Sequence, residues 1–232
     1  METALTSPFV LLKKAWSLAL GRPNIASFLA LGIIPQFLSL IFSAFISYFS
    51  GFDLLSNVDG WMMVGIIIFG FLALVVMSLV SVWYTALLYT VYQAAAIGPI
   101  APLKSYIQSA KKVTSHLLVT YILVGLFTSL AFLLFIIPGI IIAVRFMFAP
   151  MIAAVEDRGV KPIEESKRLV KGRFWKLVGR GILMIVCYNI PLSVFQAIHP
   201  LFGTVWAVSS PIFGLYFFLV YMDFKQTAAV DP

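Results

Sequence analysis

Six long apolar blocks constrain the fold of this sequence more than any other feature. A helix of about 20 apolar residues crosses the hydrocarbon core of a bilayer, and each block approaches that length. Of the 232 residues, 62% are hydrophobic and 11% are charged, whereas an average soluble domain is about 45–50% apolar and about 25% charged. A soluble fold of this size could not bury so much apolar surface, and a disordered chain requires low hydrophobicity.

The predicted fold class is therefore all-α, a polytopic membrane helix bundle of about six transmembrane helices with short amphipathic interfacial helices. The predicted spans are 25–49, 62–85, 115–137, 139–155, 175–196 and 203–222. Residues 86–98 are expected to extend the second span beyond the membrane surface.

Prolines predict where these helices bend. Pro138 and Gly139 separate the third and fourth spans, and a proline followed by glycine favours a tight reversal. We therefore expect a hairpin that turns at this pair. Four further prolines interrupt spans and predict kinks, with broken helices as the alternative: Pro35, Pro150, Pro191 and Pro211.

The basic residues predict the topology. The chain has 16 Lys and Arg and a net charge of +7, and all of the 16 except Arg145 fall in segments that one side of the membrane would hold. Because Lys and Arg concentrate in cytoplasmic loops, we expect a multi-pass protein of the bacterial cytoplasmic (inner) membrane with both termini in the cytoplasm. This explains the charge without a nucleic-acid partner.

The cytoplasmic segments suggest an internal repeat. Ala15 to Arg22 aligns with Ser166 to Arg173, including a Gly-Arg pair in both segments, and 102–111 aligns with 162–171. We interpret each segment as a short amphipathic helix that precedes a transmembrane hairpin. The predicted single transmembrane domain, 1–232, would then contain three such units, at 8–93, 102–155 and 162–222.

Arg145 is the one ionisable residue that the pattern places well inside a span. Such a charge is costly in the bilayer and marks a functional site by default. Glu156 lies on the same helix face but about 16 Å further along the axis, which is too far for direct pairing. The candidate acceptors are Gln36, Asn189 and Gln196, or a phosphate or carboxylate of a lipid. A structural role in locking the bundle and a ligand-binding role both stay open.

The sequence does not indicate catalysis. It has one cysteine, Cys187, in apolar surroundings, and its two histidines, His116 and His199, are predicted at opposite membrane faces. Carboxylates between 156 and 165 alternate with basic residues, which indicates a salt-bridged surface that includes a Glu164–Arg168 pair. We expect no enzyme activity, no cofactor and no metal site.

Two consecutive segments resemble a known bacterial membrane domain. They are the run from Pro138 through Arg145 and Pro150 to Glu156, and the run from Pro162 through Gly172 to Trp175. The chain is similar here to the membrane domain of bacterial glycerophosphoryl diester phosphodiesterases and to related uncharacterised six-span inner-membrane proteins. The resemblance implies a membrane module, because the hydrolase chemistry of those proteins belongs to a separate soluble domain.

The positions that match this pattern are our candidate functional or structural residues: Arg145, Pro150, Glu156 and Gly172. The expected function is that of a non-enzymatic module that interacts with lipid or acts as a scaffold or anchor. The alternative is a small transporter or permease component for an anionic or amphiphilic substrate. The expected partners are membrane lipids, with a protein partner or a homo-oligomer also open.

Overall fold

A computed structural model describes residues 5–21, 24–50 and 60–230. Across these residues the chain forms helices and no strand. The helices are α1 (Pro8–Leu20), α2 (Ile25–Ser50), α3 (Gly60–Ile97), α4 (Lys104–Leu134), α5 (Ile136–Arg145), α6 (Ala149–Val155), α7 (Pro162–Val170), α8 (Phe174–Ile198), α9 (Pro200–Ala207) and α10 (Ser210–Val230).

Five stretches of the described chain are long and apolar enough to cross a membrane, and a sixth is added if α1 and the first part of α2 count as one bent span. The five are Met63–Ile97, Lys104–Leu134, Ile136–Val155, Phe174–Ile198 and Pro200–Ala229. The chain is thus a multi-pass, all-α membrane protein, as its apolar blocks predict. The helix of the second span continues to Ile97, and its extension beyond the membrane surface stays a prediction.

The last helix, α10, is the centre of the bundle. It contacts α1, α2, α3, α7 and α8, and between Ile212 and Phe224 nearly every side chain is buried. Large aromatic rings fill the space around it. Phe148, which precedes α6, packs on Tyr221 and Phe224 at centroid distances of 5.7 and 5.4 Å. Such close packing fixes the mutual positions of the helices.

Apolar side chains are exposed in the part of the bundle that lies away from the core around α10. They lie on the parts of α2, α3, α4 and α8 that extend away from the core around α10, and Phe37, Ile67, Ile122 and Ile185 are examples. Contiguous apolar surface of this extent is unusual for a protein in water. It is the surface that a bilayer would cover.

The hairpin between α4 and α5 turns three residues earlier than the sequence predicts. Phe135, with φ −162°, is the single residue between the two helices. Pro138 and Gly139 instead lie in the first turn of α5, where a missing N–H costs no helical hydrogen bond. Gly139 has a packing role, since a Cβ at this position would overlap the ring of Phe132 on α4.

Two predicted spans are broken into separate helices. The chain leaves the helix after Arg145 and re-enters it at Ala149, and it does so again between α9 and α10. Pro150 and Pro211 each occupy the second position of the new helix, so the predicted kinks are wrong at these two prolines and the alternative of a broken helix holds there. Pro35 and Pro191 lie inside α2 and α8.

The predicted repeat is matched in part by the helices. Separate short helices, α1 and α7, precede α2 and α8. The segment 102–111 does not form a helix of its own, because α4 continues unbroken from Lys104 to Leu134. Arg22, which belongs to the aligned Gly-Arg pairs, lies outside the described residues. The threefold repeat itself stays a prediction.

Replacing Gly139 by alanine is expected to lower stability by about 1–3 kcal/mol, because the new methyl group must displace the Phe132 ring in a tightly packed hairpin. Gly125 on α4 is the matched control, since a Cβ there meets no atom within 4 Å and alanine is the better helix former. Thermal unfolding in detergent should give a lower Tm for Gly139→Ala than for Gly125→Ala. Equal values would contradict this account of the hairpin.

Candidate functional site

Arg145 lies at the end of α5, beside the short helix α7. A positive charge in the last turn of a helix is favourable because the free carbonyl groups carry partial negative charge. The backbone carbonyl of Arg145 accepts a hydrogen bond of 2.7 Å from Oγ of Ser166, which is fully buried on α7. This bond, and not the guanidinium, joins Arg145 to α7. The side chain itself is exposed.

The Arg145 side chain borders a surface groove between α5, the end of α7 and the start of α8. The groove has a volume of about 330 Å³. Its lining residues are Ile141, Arg145, Val170, Lys171, Gly172, Phe174 and Trp175. Two basic and two aromatic side chains therefore line one surface together with two aliphatic side chains.

Gly172 ends α7 and shapes this groove. The helix stops at Val170, Lys171 caps it, and Gly172 has φ 74°. This left-handed conformation is strained for residues that carry a Cβ. The turn lets α8 start beside α5, so that Trp175 and Arg145 line the same groove.

Helix α7 is fixed to the bundle by one face and exposes its charges on the other. Ser166, Leu169 and Val170 are buried, and the helix contacts α4, α5, α6 and α10. Its ion pairs differ from the predicted one. Glu164 pairs with Lys161 at 3.2 Å, and Glu165 pairs with Arg168 at 2.6 Å. The predicted Glu164–Arg168 pair is therefore wrong.

The structure pairs Arg145 with none of its predicted acceptors. Within the described part of the chain, its guanidinium makes no hydrogen bond and no ion pair. Gln196 packs against Gly203 on α9, and Gln36 and Asn189 lie on α2 and α8. The five donors of the guanidinium stay available in the groove.

A different arginine occupies the interior of the bundle. Arg180 on α8 has only 5% of its side chain exposed and forms an ion pair of 2.8 Å with Asp223 on α10, whose side chain is 11% exposed. Arg180 also donates to the carbonyl of Thr6, at 2.5 Å. Thr6 in turn donates its hydroxyl and its N–H to the Asp223 carboxylate. Three distant parts of the chain meet in this polar network.

This network was not among the sequence predictions, because the charge pattern groups Arg180 with the other basic residues of one membrane side and Asp223 was not considered. A usable signal was present, because the two residues of opposite charge lie at similar distances from the turn that joins their spans. Opposite charges at matching depths of neighbouring spans predict an ion pair.

Glu156 also joins α10. Its carboxylate accepts a hydrogen bond of 2.5 Å from the hydroxyl of Tyr221 and pairs with the ammonium of Lys225. Partial burial would raise the pKa of the Glu156 carboxyl, but the hydrogen bonds from Lys225 and Tyr221, together with the Lys225 charge, outweigh this and hold the pKa below its usual range. The carboxylate is thus charged, and its Oε1 holds α6 to α10.

The four candidate residues separate into different roles. Arg145 and Gly172 line the groove, Pro150 is buried in α6, and Glu156 belongs to the contact with α10. The histidines do not meet. His116 bonds to the carbonyl of Ala153, and His199 accepts from the N–H of Leu201. Among the described residues, no group of three His, Cys, Asp or Glu side chains could hold a metal ion.

Contacts collect the charged segments at one end of the bundle. Arg158, which follows α6, donates to the carbonyl of Lys112 near the start of α4, at 3.1 Å. Arg173 donates to the carbonyl of Thr227 near the end of α10. Segments far apart in sequence thus present their basic residues together. This agrees with the one-sided distribution that the sequence predicts.

Comparison with known proteins shows one relevant likeness. Over 150 residues the chain is 28% identical to a UPF0259 membrane protein of Sodalis glossinidius, with 60% of this chain covered. The aligned part represents 59% of the length of that relative. No family profile matches the chain, and no solved structure matches it. This likeness supports the conclusion that the chain is a membrane protein.

The Asp223→Asn substitution is expected to destabilise the protein by about 3 kcal/mol or more, because it leaves the buried Arg180 charge without its counter-ion. Glu165→Gln is the control, since it breaks an ion pair whose arginine is exposed and should cost less than about 1 kcal/mol. Thermal unfolding of both variants in the same detergent tests this. Similar losses of stability would show that the buried ion pair contributes no more to stability than the exposed one.

Proposed function

We propose that this chain is a non-enzymatic module of the bacterial inner membrane that binds anionic lipid at its cytoplasmic surface, with both termini in the cytoplasm. The observation that carries the proposal is the placement of α7. One face of this helix is buried against the bundle, and the opposite face carries exposed basic side chains. A helix held in this way presents a fixed basic surface to the membrane.

The charges on α7 are not cancelled within the helix. Its two glutamates pair with Lys161 and Arg168, which leaves Lys167 and Lys171 without a carboxylate partner in the described structure. Lys167 lies over the ring of Phe146 at 5.3 Å, and both lysines are exposed. Each Lys or Arg near an anionic leaflet contributes about 1 kcal/mol to membrane attraction.

The orientation follows from the same charges. Because Lys and Arg favour the cytoplasmic side, the end of the bundle that collects α7, the start of α4 and the end of α10 is the cytoplasmic end in this proposal. The exposed apolar parts of α2, α3 and α8 then lie in the bilayer.

Two likenesses are consistent with a membrane module. The segment 138–176 resembles a membrane domain that occurs beside a separate hydrolase domain, so a role as scaffold or anchor for a protein partner is consistent with it. The Sodalis relative is described as a membrane protein. A second copy of the chain is the other partner that this proposal accommodates.

The transporter alternative has weaker support. A transport path beside Arg145 requires a polar cavity between packed helices, near the middle of the membrane. The groove beside Arg145 opens at the surface instead. The centre of the bundle around α10 is filled by large side chains such as Tyr92, Tyr216 and Phe218.

Anionic lipid is expected to stabilise the purified protein more than zwitterionic lipid does. In detergent, dioleoyl phosphatidylglycerol at about 100 times its Kd should raise Tm by about 5 °C or more, and added salt should reduce the effect. Dioleoyl phosphatidylcholine, with the same acyl chains, is the control. If both lipids raise Tm equally, anionic lipid binding is not a function of this chain.

A further inference from the structure

The groove beside Arg145 has the chemistry of a phosphate site. We propose that it binds one phosphate-bearing anion, the headgroup of an anionic phospholipid, with Arg145 and Lys171 as the charged contacts. This inference rests on the proposed function and adds to it a defined place and a ligand class. It predicts one specific lipid-binding position, in addition to weaker lipid contacts elsewhere on the basic surface.

The side chain of Arg145 is available to bind a ligand. Its guanidinium has no acceptor in the described structure, although it presents a planar set of donors that suits two phosphate oxygens at once. The carboxylates of α7 cannot neutralise it, because Glu164 and Glu165 are already paired. The groove therefore keeps a positive charge that a phosphate would balance.

The shape of the groove at Lys171 also suits a headgroup. Because α7 ends here, Lys171 projects from a helix end, and its side chain is exposed. Gly172 leaves the adjacent surface uncovered, since no atom beyond its two chain neighbours lies within 4 Å of the place where a Cβ would be. A headgroup can thus approach the backbone between the two charged residues.

The residues around the groove indicate that it lies in the headgroup layer. Trp175 at its edge is 80% exposed, and exposed tryptophans favour the headgroup layer. The exposed charges of α7 exclude a position in the hydrocarbon, where they would be costly. Ile141 and Val170 form an apolar wall beside the charges, which suits the glycerol and first acyl carbons of a lipid.

The arrangement also separates binding from folding. The contact between α5 and α7 uses the backbone carbonyl of Arg145 and the hydroxyl of Ser166, so it survives a change of the Arg145 side chain. Lys171 makes no side-chain hydrogen bond in the described structure. Neutral substitutions at both positions should therefore leave the fold intact.

The test compares Arg145→Gln/Lys171→Gln with Lys13→Gln/Lys104→Gln. Both double variants remove two exposed positive charges, but only the first removes them from the groove. Native mass spectrometry of each protein, titrated with dioleoyl phosphatidylglycerol, counts bound lipids. In Arg145→Gln/Lys171→Gln, the affinity for the first bound lipid should fall about tenfold or more, as expected for the loss of two charge contacts. The control variant should retain its affinity.

A soluble arm separates the two sources of phosphate. Glycerol 3-phosphate and inorganic phosphate are added to the wild-type protein at the same concentrations as the lipid. If the groove binds a lipid, both soluble anions should bind more weakly than phosphatidylglycerol, because neither has acyl chains that could contact the apolar wall. If they bind as tightly as phosphatidylglycerol, the groove is a phosphate site but a lipid is not its ligand.

The remaining outcomes distinguish this site from the general function. If phosphatidylglycerol binds the wild type and both variants equally, the groove assignment is wrong, although the proposed function stands. If phosphatidylglycerol does not bind the wild type better than phosphatidylcholine, the proposed function fails and the site with it. Unchanged Tm values of the lipid-free variants confirm that they fold.

Discussion

The ion pair between Arg180 and Asp223 is the contact on which the arrangement of this bundle depends. Both side chains are almost fully buried, and a buried charge is tolerated only when it is paired and hydrogen-bonded. The pair joins α8 to α10, and its bonds to Thr6 bring in the segment before α1. Because the other helices pack around α10, this network fixes the position of α8 and of the segment before α1 relative to the centre of the bundle.

The two arginines of the apolar segments have opposite roles. Arg180 is buried and satisfied by the protein, whereas Arg145 is exposed and has no acceptor in the described residues. In the sequence, a charge is unusual when many apolar residues surround it along the chain, and by this measure Arg145 is more unusual than Arg180. In the structure, what matters is whether the folded chain supplies a partner for the charge. Those partners come from distant segments, so the local pattern cannot reveal them.

The same distinction explains which parts of the fold were predictable. The existence and approximate positions of the spans follow from runs of apolar residues, which are a local property, and α3 and α8 agree well with them. The turn at Phe135 was missed because a Pro-Gly pair suits either a reversal or the first turn of a helix. Packing of α5 on Phe132 decides between the two.

The candidate site was predictable in its residues but not in its geometry. Arg145 and Gly172 were both singled out, yet the sequence gives no reason to place them in one groove. Their proximity depends on the break after Arg145, which lets α7 return along α5. Pro150 and Glu156 belong to the same sequence pattern but are used inside the bundle and at its contact with α10. A shared motif therefore contains both packing residues and exposed ones.

The network of Thr6, Arg180 and Asp223 has a consequence for the order in which this protein can be assembled. The ribosome makes Thr6 217 residues before Asp223, so the Asp223 carboxylate becomes available only much later in synthesis. Until then Arg180 lacks this counter-ion, although earlier helices such as α3, α4 and α5 can already pack on one another. The polar network can therefore form only after α10 has been made, when the contacts among the earlier helices are already possible.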